Sequence, residues 1–365
     1  MIRVGTVFSG IGSVEYALKR MNIEHEIVFA CDNGDIEVDE DAIRNEILNL
    51  DEPTFENKKN VVDSHYLLSR KTNFVKKTYF ANYDIDEKDY HYNVRFLDGY
   101  QYRNQIDLFV GGSPCQSFSM MGYKRGLEDA RGTLFYEFAR LVNEIQPKVF
   151  IYENVQGLIR HDGGRTWEIV NSIFDTLGYF YSFRILNSKD YGVPQNRNRL
   201  FVVGFREERF ANVFHFPQPV ELRYRLQNYL EEYCADGYFD FYNIPNIPGV
   251  VPEKYYPSPL VIAHIMSGGT KNYYTKPEID LPIARPLLAT MHKMHRAGVD
   301  NYVTVGGRIR KLTPRECLRL MGYDDNFRIV VSDTQMYKQA GNSIVSEIFI
   351  HLLREIINTH VFEEE

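Results

Sequence analysis

The sequence predicts an open, mostly parallel α/β sheet with a smaller loop-rich domain, and three observations lead there. Short apolar runs at Val4–Phe8, Ile27–Ala30, Leu108–Val110 and Val149–Tyr152 alternate with segments of helical periodicity, which is the pattern of βαβ units. These runs lead into the Gly10/Gly12 turn, Asp32, Cys115 and Glu153. Parallel open sheets bind ligands along their carboxyl edge, so one crevice can gather all of them. Finally, residues 206–311 change character: Pro and Tyr become frequent, helical periodicity fades, and glycine turns recur at 267–269 and 305–307.

The first run passes into Ser9-Gly10-Ile11-Gly12-Ser13 and then a helix with Val14, Ala17, Leu18 and Met21 on its apolar face. A strand, a glycine turn and a helix start suit a nucleotide-type ligand, because glycine lets it approach the backbone closely. Asp32 follows the glycines by about 20 residues, where such folds place a ribose-binding acid. The pattern is only G-x-G, and it suits a nucleoside without a pyrophosphate equally well. Residues 34–78 have poor periodicity and read as a peripheral insertion with a helix near 40–50.

After the Leu108 run, Gly111 and Gly112 break the strand and Pro114 stiffens the turn that presents Cys115. The polar segment beyond it, with Gly122, Lys124, Arg125 and Gly126, reads as a mobile loop. Cys115 is thus either a nucleophile beside a lid or a small buried hydrophobe. Helices are expected over Thr133–Ile145 and Thr166–Leu177, and strands at Phe180–Leu186 and Leu200–Phe205. Arg197 and Arg199 have period-two spacing, so on an extended segment they point the same way, toward a ligand or a surface salt bridge. Thr313-Pro314-Arg315-Glu316 has capping-box spacing with proline at the first helical position. A last apolar helix follows Gly341-Asn342-Ser343 and is expected to pack on the first domain.

Composition is that of an ordinary globular protein, and no run of about 18 apolar residues suggests a membrane span. With four cysteines and no signal-peptide pattern, neither a disulfide framework nor a paired-cysteine zinc site is expected, and a cytoplasmic location is the natural reading. The net charge is −7, yet it is unevenly spread. Residues 31–62 hold ten acids against three bases, whereas residues 284–319 hold eight Lys/Arg against two acids. A basic face within an acidic protein keeps a polyanionic partner open.

Seven blocks, in order, carry a resemblance: FSGIG at 8–12, GGSPCQSFS at 111–119, RGTLF at 131–135, ENV at 153–155, QNRNR at 195–199, RECLRLMGY at 315–323 and GNS at 341–343. The chain resembles the C5-cytosine-specific DNA methyltransferases of bacterial type. The resemblance implies a doubly wound, Rossmann-like S-adenosylmethionine-dependent methyltransferase domain over 1–222 and 314–365. A target-recognition domain over 223–313 is implied with it. The implied reaction adds the Cys115 thiolate to C6 of a flipped-out cytosine, which makes C5 nucleophilic toward the methyl donor. Glu153 matches the group that protonates or hydrogen-bonds N3, a role needing a raised pKa or a shared proton. Arg199 matches the contact to the base O2, with Arg197 supporting it. Phe8 would meet the adenine, Gly10 and Gly12 the amino acid part, and Asp32 the ribose. Ser9, Ile11, Asn33, Pro114 and Asn342 would line the same pocket.

The partner implied is duplex DNA. Gln116, Ser119, Lys124, Arg125 and Arg131 would meet it from the loop side, and His292, Lys293, Arg296, Arg308 and Arg310 from the basic stretch. No membrane partner is expected, a restriction endonuclease acting on the same site is a candidate companion, and a monomer is expected. The family's adenine-reading Asp step is replaced by Asn93-Val94, with Asp98 as the other candidate. Two rivals stay open: cytosine-C5 methylation of tRNA, and an inactive DNA-binding protein of the same fold.

Overall fold

Seven strands order the first compact unit, and their sequence explains their depth in it. They are β1 (Ile2–Val7), β2 (His25–Cys31), β3 (Tyr90–His91), β4 (Leu108–Gly111), β5 (Val149–Val155), β6 (Phe180–Asn187) and β7 (Asn198–Phe205). The computed structural model describes residues 1–114, 134–232, 251–270 and 273–363. The sheet order is β3-β2-β1-β4-β5-β7-β6. Strands β1 to β5 run parallel, and β7 pairs antiparallel with β5. β4 and most of β5 are buried, as expected of near-continuous apolar strands covered on both faces.

Helices α1 (Ser13–Arg20), α2 (Glu40–Leu48), α3 (Phe55–Leu68), α4 (Phe74–Asn82), α5 (Leu134–Ile145), α6 (Arg165–Asp175) and α7 (Glu208–Val213) complete this unit. α5 and α6 bury Phe135, Phe138, Leu141, Val142, Val170 and Phe174 against Phe109, Phe150 and Tyr152. The stretch expected to be a peripheral insertion with one helix contains three. Thr54 and Asn73 cap α3 and α4 with side-chain acceptors, and Val61, Val62, Tyr66 and Tyr79 join Ile43 in a core of their own. The weak amphipathicity of α3 and α4 hides them in the sequence, since their core mixes tyrosine rings with scattered Ile and Val.

One boundary shifts. β5 runs through Val155 rather than stopping at Tyr152, since β7 pairs Phe201, Leu200 and Arg199 with Glu153, Asn154 and Val155. No helix is expected from the mostly polar stretch Asp333–Asn342, yet one forms there, burying Met336, Tyr337 and Ala340.

The second compact unit comprises Asn187–Arg197 and Gln218–His351, and the first comprises Met1–Leu186, Asn198–Pro217 and Leu352–Glu365. The second holds α8 (Pro259–Ile265), the short pair β8 (Gly269–Thr270) and β9 (Tyr273–Tyr274), and the hairpin β10 (Tyr302–Val305) and β11 (Arg308–Lys311). Helices α9 (Pro314–Leu320) and α10 (Asp333–Asn342) follow, then α11 (Ser346–Ile357), whose part from Leu352 belongs to the first unit. Thr313 and Glu316 form the expected capping box at α9. Among the described residues, no helix is long and apolar enough to cross a membrane.

Candidate active site

Strand register lines up the carboxyl ends of the first unit. Val7 pairs with Cys31 on one side and Gly111 on the other, and Gly111 pairs with Tyr152. The next residues along, Phe8, Asp32, Gly112 and Glu153, therefore share one edge of the sheet. The chain order reverses between β1 and β4, the switch point where open α/β sheets bind ligands.

On the β1/β2 side the glycine turn is tightly specified. Phe8 and Gly10 adopt positive φ of 54°, and Gly12 has φ 77° as the cap of α1. A left-handed phenylalanine is uncommon and is held only where its surroundings over-determine it. Here the Ser9 hydroxyl and amide bind the backbone of Cys31. The Asp32 carboxylate accepts from Gly10 N at 2.9 Å and from Gly34 N at 2.8 Å. Burial pushes the Asp32 carboxyl up, and these two amides oppose the shift. Asn33 accepts from Asp35 N and so shapes the same turn.

The turn leaves room for a ligand. A Cβ built on Gly10 would meet nothing nearer than the Phe8 carbonyl at 4.0 Å. A backbone open at that point, backed by a carboxylate with remaining acceptor capacity, fits the nucleoside and amino acid ends of S-adenosylmethionine. Asn93, after β3, caps a turn by accepting from Arg95 N and donates to the Glu40 carboxylate at 3.0 Å. An aspartate at 93 would face that carboxylate, which accounts for the amide. Asp98 caps the following turn through Tyr100 N.

On the β4/β5 side stands an acid beside a base. Arg199 Nε lies 2.9 Å from Glu153 Oε1, with both side chains largely shielded from solvent. Arg199 Nη1 also donates to the Asn198 carbonyl. A Cβ on Gly112 would lie 2.8 Å from Glu153 Oε2, so glycine is needed there to admit the carboxyl. Asn154 Nδ2 donates to the Ser113 carbonyl at 2.9 Å and to the Tyr152 hydroxyl at 2.8 Å, and that hydroxyl meets Ser113 Oγ at 2.7 Å. These three residues fix the backbone just before Pro114, which is exposed. Neither Ser113 nor Asn154 is singled out by the motif blocks that contain them, and their role is set by contacts across the sheet.

In the second unit, Arg197, expected to support the base contact of Arg199, binds backbone of its own unit. Its buried guanidinium donates to the carbonyls of Leu287, Gly341 and Ser343 at 2.9–3.0 Å. Gln195 performs similar work, donating to Leu320 O and accepting from Leu287 N. Gly341 is required because a Cβ there would lie 2.2 Å from Ala289 N. Asn342 is exposed at the end of α10. Arg310 departs most from expectation. Its side chain has no exposed surface and is committed to Glu232 and Glu316 at 2.5–2.6 Å, leaving none for a phosphate. Arg308 is half exposed, pairs with Glu253 and lies over the Tyr256 ring. Arg296 Nε donates to Ser267, His292 is partly exposed, and Lys293 is exposed.

Cys115, Gln116, Ser119, Lys124, Arg125 and Arg131 lie outside the described residues. The two described cysteines, Cys31 and Cys317, are buried, and burial pushes both thiols well up, so neither offers a thiolate. Among the described residues no group of His, Cys, Asp and Glu is arranged to hold a metal.

The family model for C-5 cytosine-specific DNA methylase matches residues 54–358. The Type II methyltransferase M.SsoII of Shigella sonnei is 34% identical over 298 residues, covering 78% of this chain and 72% of that protein. M.HhaI of Haemophilus parahaemolyticus is 36% identical over 256 residues, covering 68% of this chain and 75% of its own. Among solved structures, the S. pombe Dnmt2 methyltransferase aligns with a TM-score of 0.66 over 98% of this chain and 99% of its own, at 17% identity. A putative DNA modification methyltransferase from an E. coli prophage aligns with a TM-score of 0.58 over 99% of both chains, at 18% identity. These likenesses agree with the sheet order in fold, and the sequence match carries the assignment: the chain belongs to the C-5 cytosine-specific DNA methylase family, the DNA (cytosine-5-)-methyltransferases.

Proposed function

We propose that the protein methylates C5 of a cytosine in a specific duplex DNA sequence, acting on a base turned out of the helix. The Glu153–Arg199 pair at the sheet edge, beside Gly112, is the observation that carries this reading. A cytosine presents N3 and O2 along one edge. A carboxyl and a guanidinium 2.9 Å apart match those two atoms as proton donor and hydrogen-bond donor. Cys115, three residues beyond Gly112, would add to C6. The negative charge this places on the ring is met at N3 by the Glu153 proton and at O2 by Arg199. C5 would thereby become enamine-like and able to accept a methyl group, the donor leaving as its neutral thioether, and loss of the C5 proton to a base would then expel the thiolate.

Phe8, Gly10, Gly12, Asp32 and the turn at Asn93 would hold S-adenosylmethionine. When bound, it supplies a methyl group on a sulfonium. Asp32 orients Gly10 and faces the ribose, while Phe8 offers an apolar surface to the adenine. A base inside a duplex is out of reach, so turning it out costs about a few kcal/mol, which contacts to the DNA must offset. Residues 223–313, with exposed Lys293 and half-exposed Arg308, are proposed as the part that reads DNA. A role in a restriction system, with an endonuclease acting on the same site, is consistent with the Type II names of the relatives.

Incubation with S-adenosylmethionine and DNA carrying 5-fluorocytosine tests the reading. A fluorine at C5 blocks proton loss, so a covalent complex through Cys115 is expected, and Cys115→Ala should bind DNA without forming it. Absence of an adduct with wild-type protein would favour a DNA-binding protein without turnover. Adduct formation on 5-fluorocytosine tRNA in preference to DNA would change the polymer.

A further inference from the structure

Residues 34–78, read as a peripheral insertion, have no place in the mechanism above, yet helix α4, which begins in that stretch and ends at Asn82, is bonded with its cap Tyr83 directly to the glycine turn. The Tyr83 hydroxyl, at the carboxyl end of α4, donates to the Gly12 carbonyl at 2.6 Å and the Ile11 carbonyl at 2.9 Å. Its ring fills the volume that a Cβ on Gly12 would enter, at 2.3 Å. Asn73, which caps α4, donates Nδ2 to the Asp32 carbonyl at 3.0 Å and occupies the space beside Gly34. Tyr90 donates to the same carbonyl at 3.1 Å.

One helical turn before Tyr83, the Tyr79 hydroxyl donates to buried Glu15 at 2.6 Å. Glu15 also accepts from Thr6, whose hydroxyl meets that of Ser9 at 2.8 Å. A continuous hydrogen-bonded chain therefore runs from α4 through Glu15 and Thr6 to the turn. Tyr79 and Tyr83 lie on one face of the helix, four residues apart, with ring centroids 4.7 Å apart. The turn itself carries left-handed backbone at Phe8, Gly10 and Gly12, and such geometry persists only when neighbours hold it.

We propose that α4 is a buttress for the cofactor turn, with Tyr83 and Asn73 as positioning residues that set the affinity for S-adenosylmethionine. This rests on the reading that residues 8–12 and Asp32 bind that cofactor. The insertion touches backbone carbonyls rather than ligand, so it acts through pre-organisation: a turn already in its binding geometry has less order to acquire on binding. It specifies the Gly12 and Asp32 carbonyls and leaves the Gly10 face open.

Tyr83→Phe keeps the ring that packs on Gly12 and removes only the hydroxyl. Asn73→Asp keeps the cap that accepts from Lys76 N and removes the donor to Asp32. Binding of S-adenosylmethionine to the full chain without DNA, measured calorimetrically, should weaken about tenfold in each, the effect of one such hydrogen bond. KM for S-adenosylmethionine should rise in parallel, while DNA affinity and the KM for DNA stay unchanged. Lys77→Ala, on the exposed face of α4, should bind as wild type does. If both variants bind the cofactor as wild type while only their urea midpoints fall, α4 is merely structural and the proposal fails. If wild-type protein itself does not bind S-adenosylmethionine, the reading of the turn fails instead.

Discussion

Glu153 and Arg199 carry the chemistry proposed, and each is positioned by a strand rather than a loop. Glu153→Gln keeps the shape and one hydrogen bond but removes the proton, so kcat should fall by about 10²- to 10⁴-fold. Cofactor affinity should be unchanged in a binding assay, since the glycine turn and Asp32 lie two and three strands away on the sheet. The arginines divide by burial. Arg310→Met leaves Glu316 buried without its partner and should cost about 3–5 kcal/mol in urea denaturation. The salt dependence of DNA binding should not change in a variant that still folds. Lys293→Ala, at an exposed position, should instead lower the slope of log K against log salt by about 1 if it meets a phosphate. Sequence alone could not separate these residues, because period and charge are alike for Arg197, Arg199, Arg308 and Arg310. What differs is the partner that distant chain segments bring.

Secondary elements were legible wherever a strand or helix shows its own pattern. Strands β1, β2 and β4, helices α5 and α6 and the capping box of α9 follow directly from apolar periodicity and turn residues. Helix α2 matches the helix expected near 40–50, whereas α3 and α4 of the insertion and helix α10 were not legible, because their stability comes from neighbours rather than from strongly amphipathic faces. The sequence places Glu153 beyond its strand, since the antiparallel partner that extends β5 follows it by some fifty residues. Gly341 shows how a motif glycine can be structural: Gly341→Ala would press a methyl group against the backbone of Leu288 and Ala289. The urea midpoint should fall by an amount equivalent to about 1–3 kcal/mol.

β3 offers a test by pH. Burial pushes His91 down to about 3 from its ordinary 6.5, and its Nε2 meets the Tyr102 hydroxyl. The unfolded chain binds a proton there more readily than the folded one. The stability tied to neutral His91 is thus complete above about pH 6.5 and is lost as pH falls toward 3. Comparing urea midpoints, the advantage of wild type over His91→Gln should shrink by about 2 kcal/mol between pH 7 and pH 5.

At the scale of the molecule, the function proposed would set a methyl-donor side beside a base-binding side, across the switch point between β1 and β4. Asp32 and the glycine turn belong to the first, Glu153 and Arg199 to the second. The acidic net charge of −7 does not oppose a DNA substrate, because bases gather in residues 284–319 and acids in residues 31–62. The acid-rich stretch leads into helix α3 and then α4, whose Tyr83 and Asn73 bond to the backbone of Gly12 and Asp32. Family and fold were both legible from ordered motif blocks, while the division of labour within each block needed three-dimensional neighbours. The most direct measurement of the central claim is a base-resolution map of 5-methylcytosine on a plasmid from a methylation-free host expressing this chain. Methylation at one short recurring sequence, abolished by Glu153→Gln, is the predicted result. An unmodified plasmid from cells containing folded, cofactor-binding protein would contradict it.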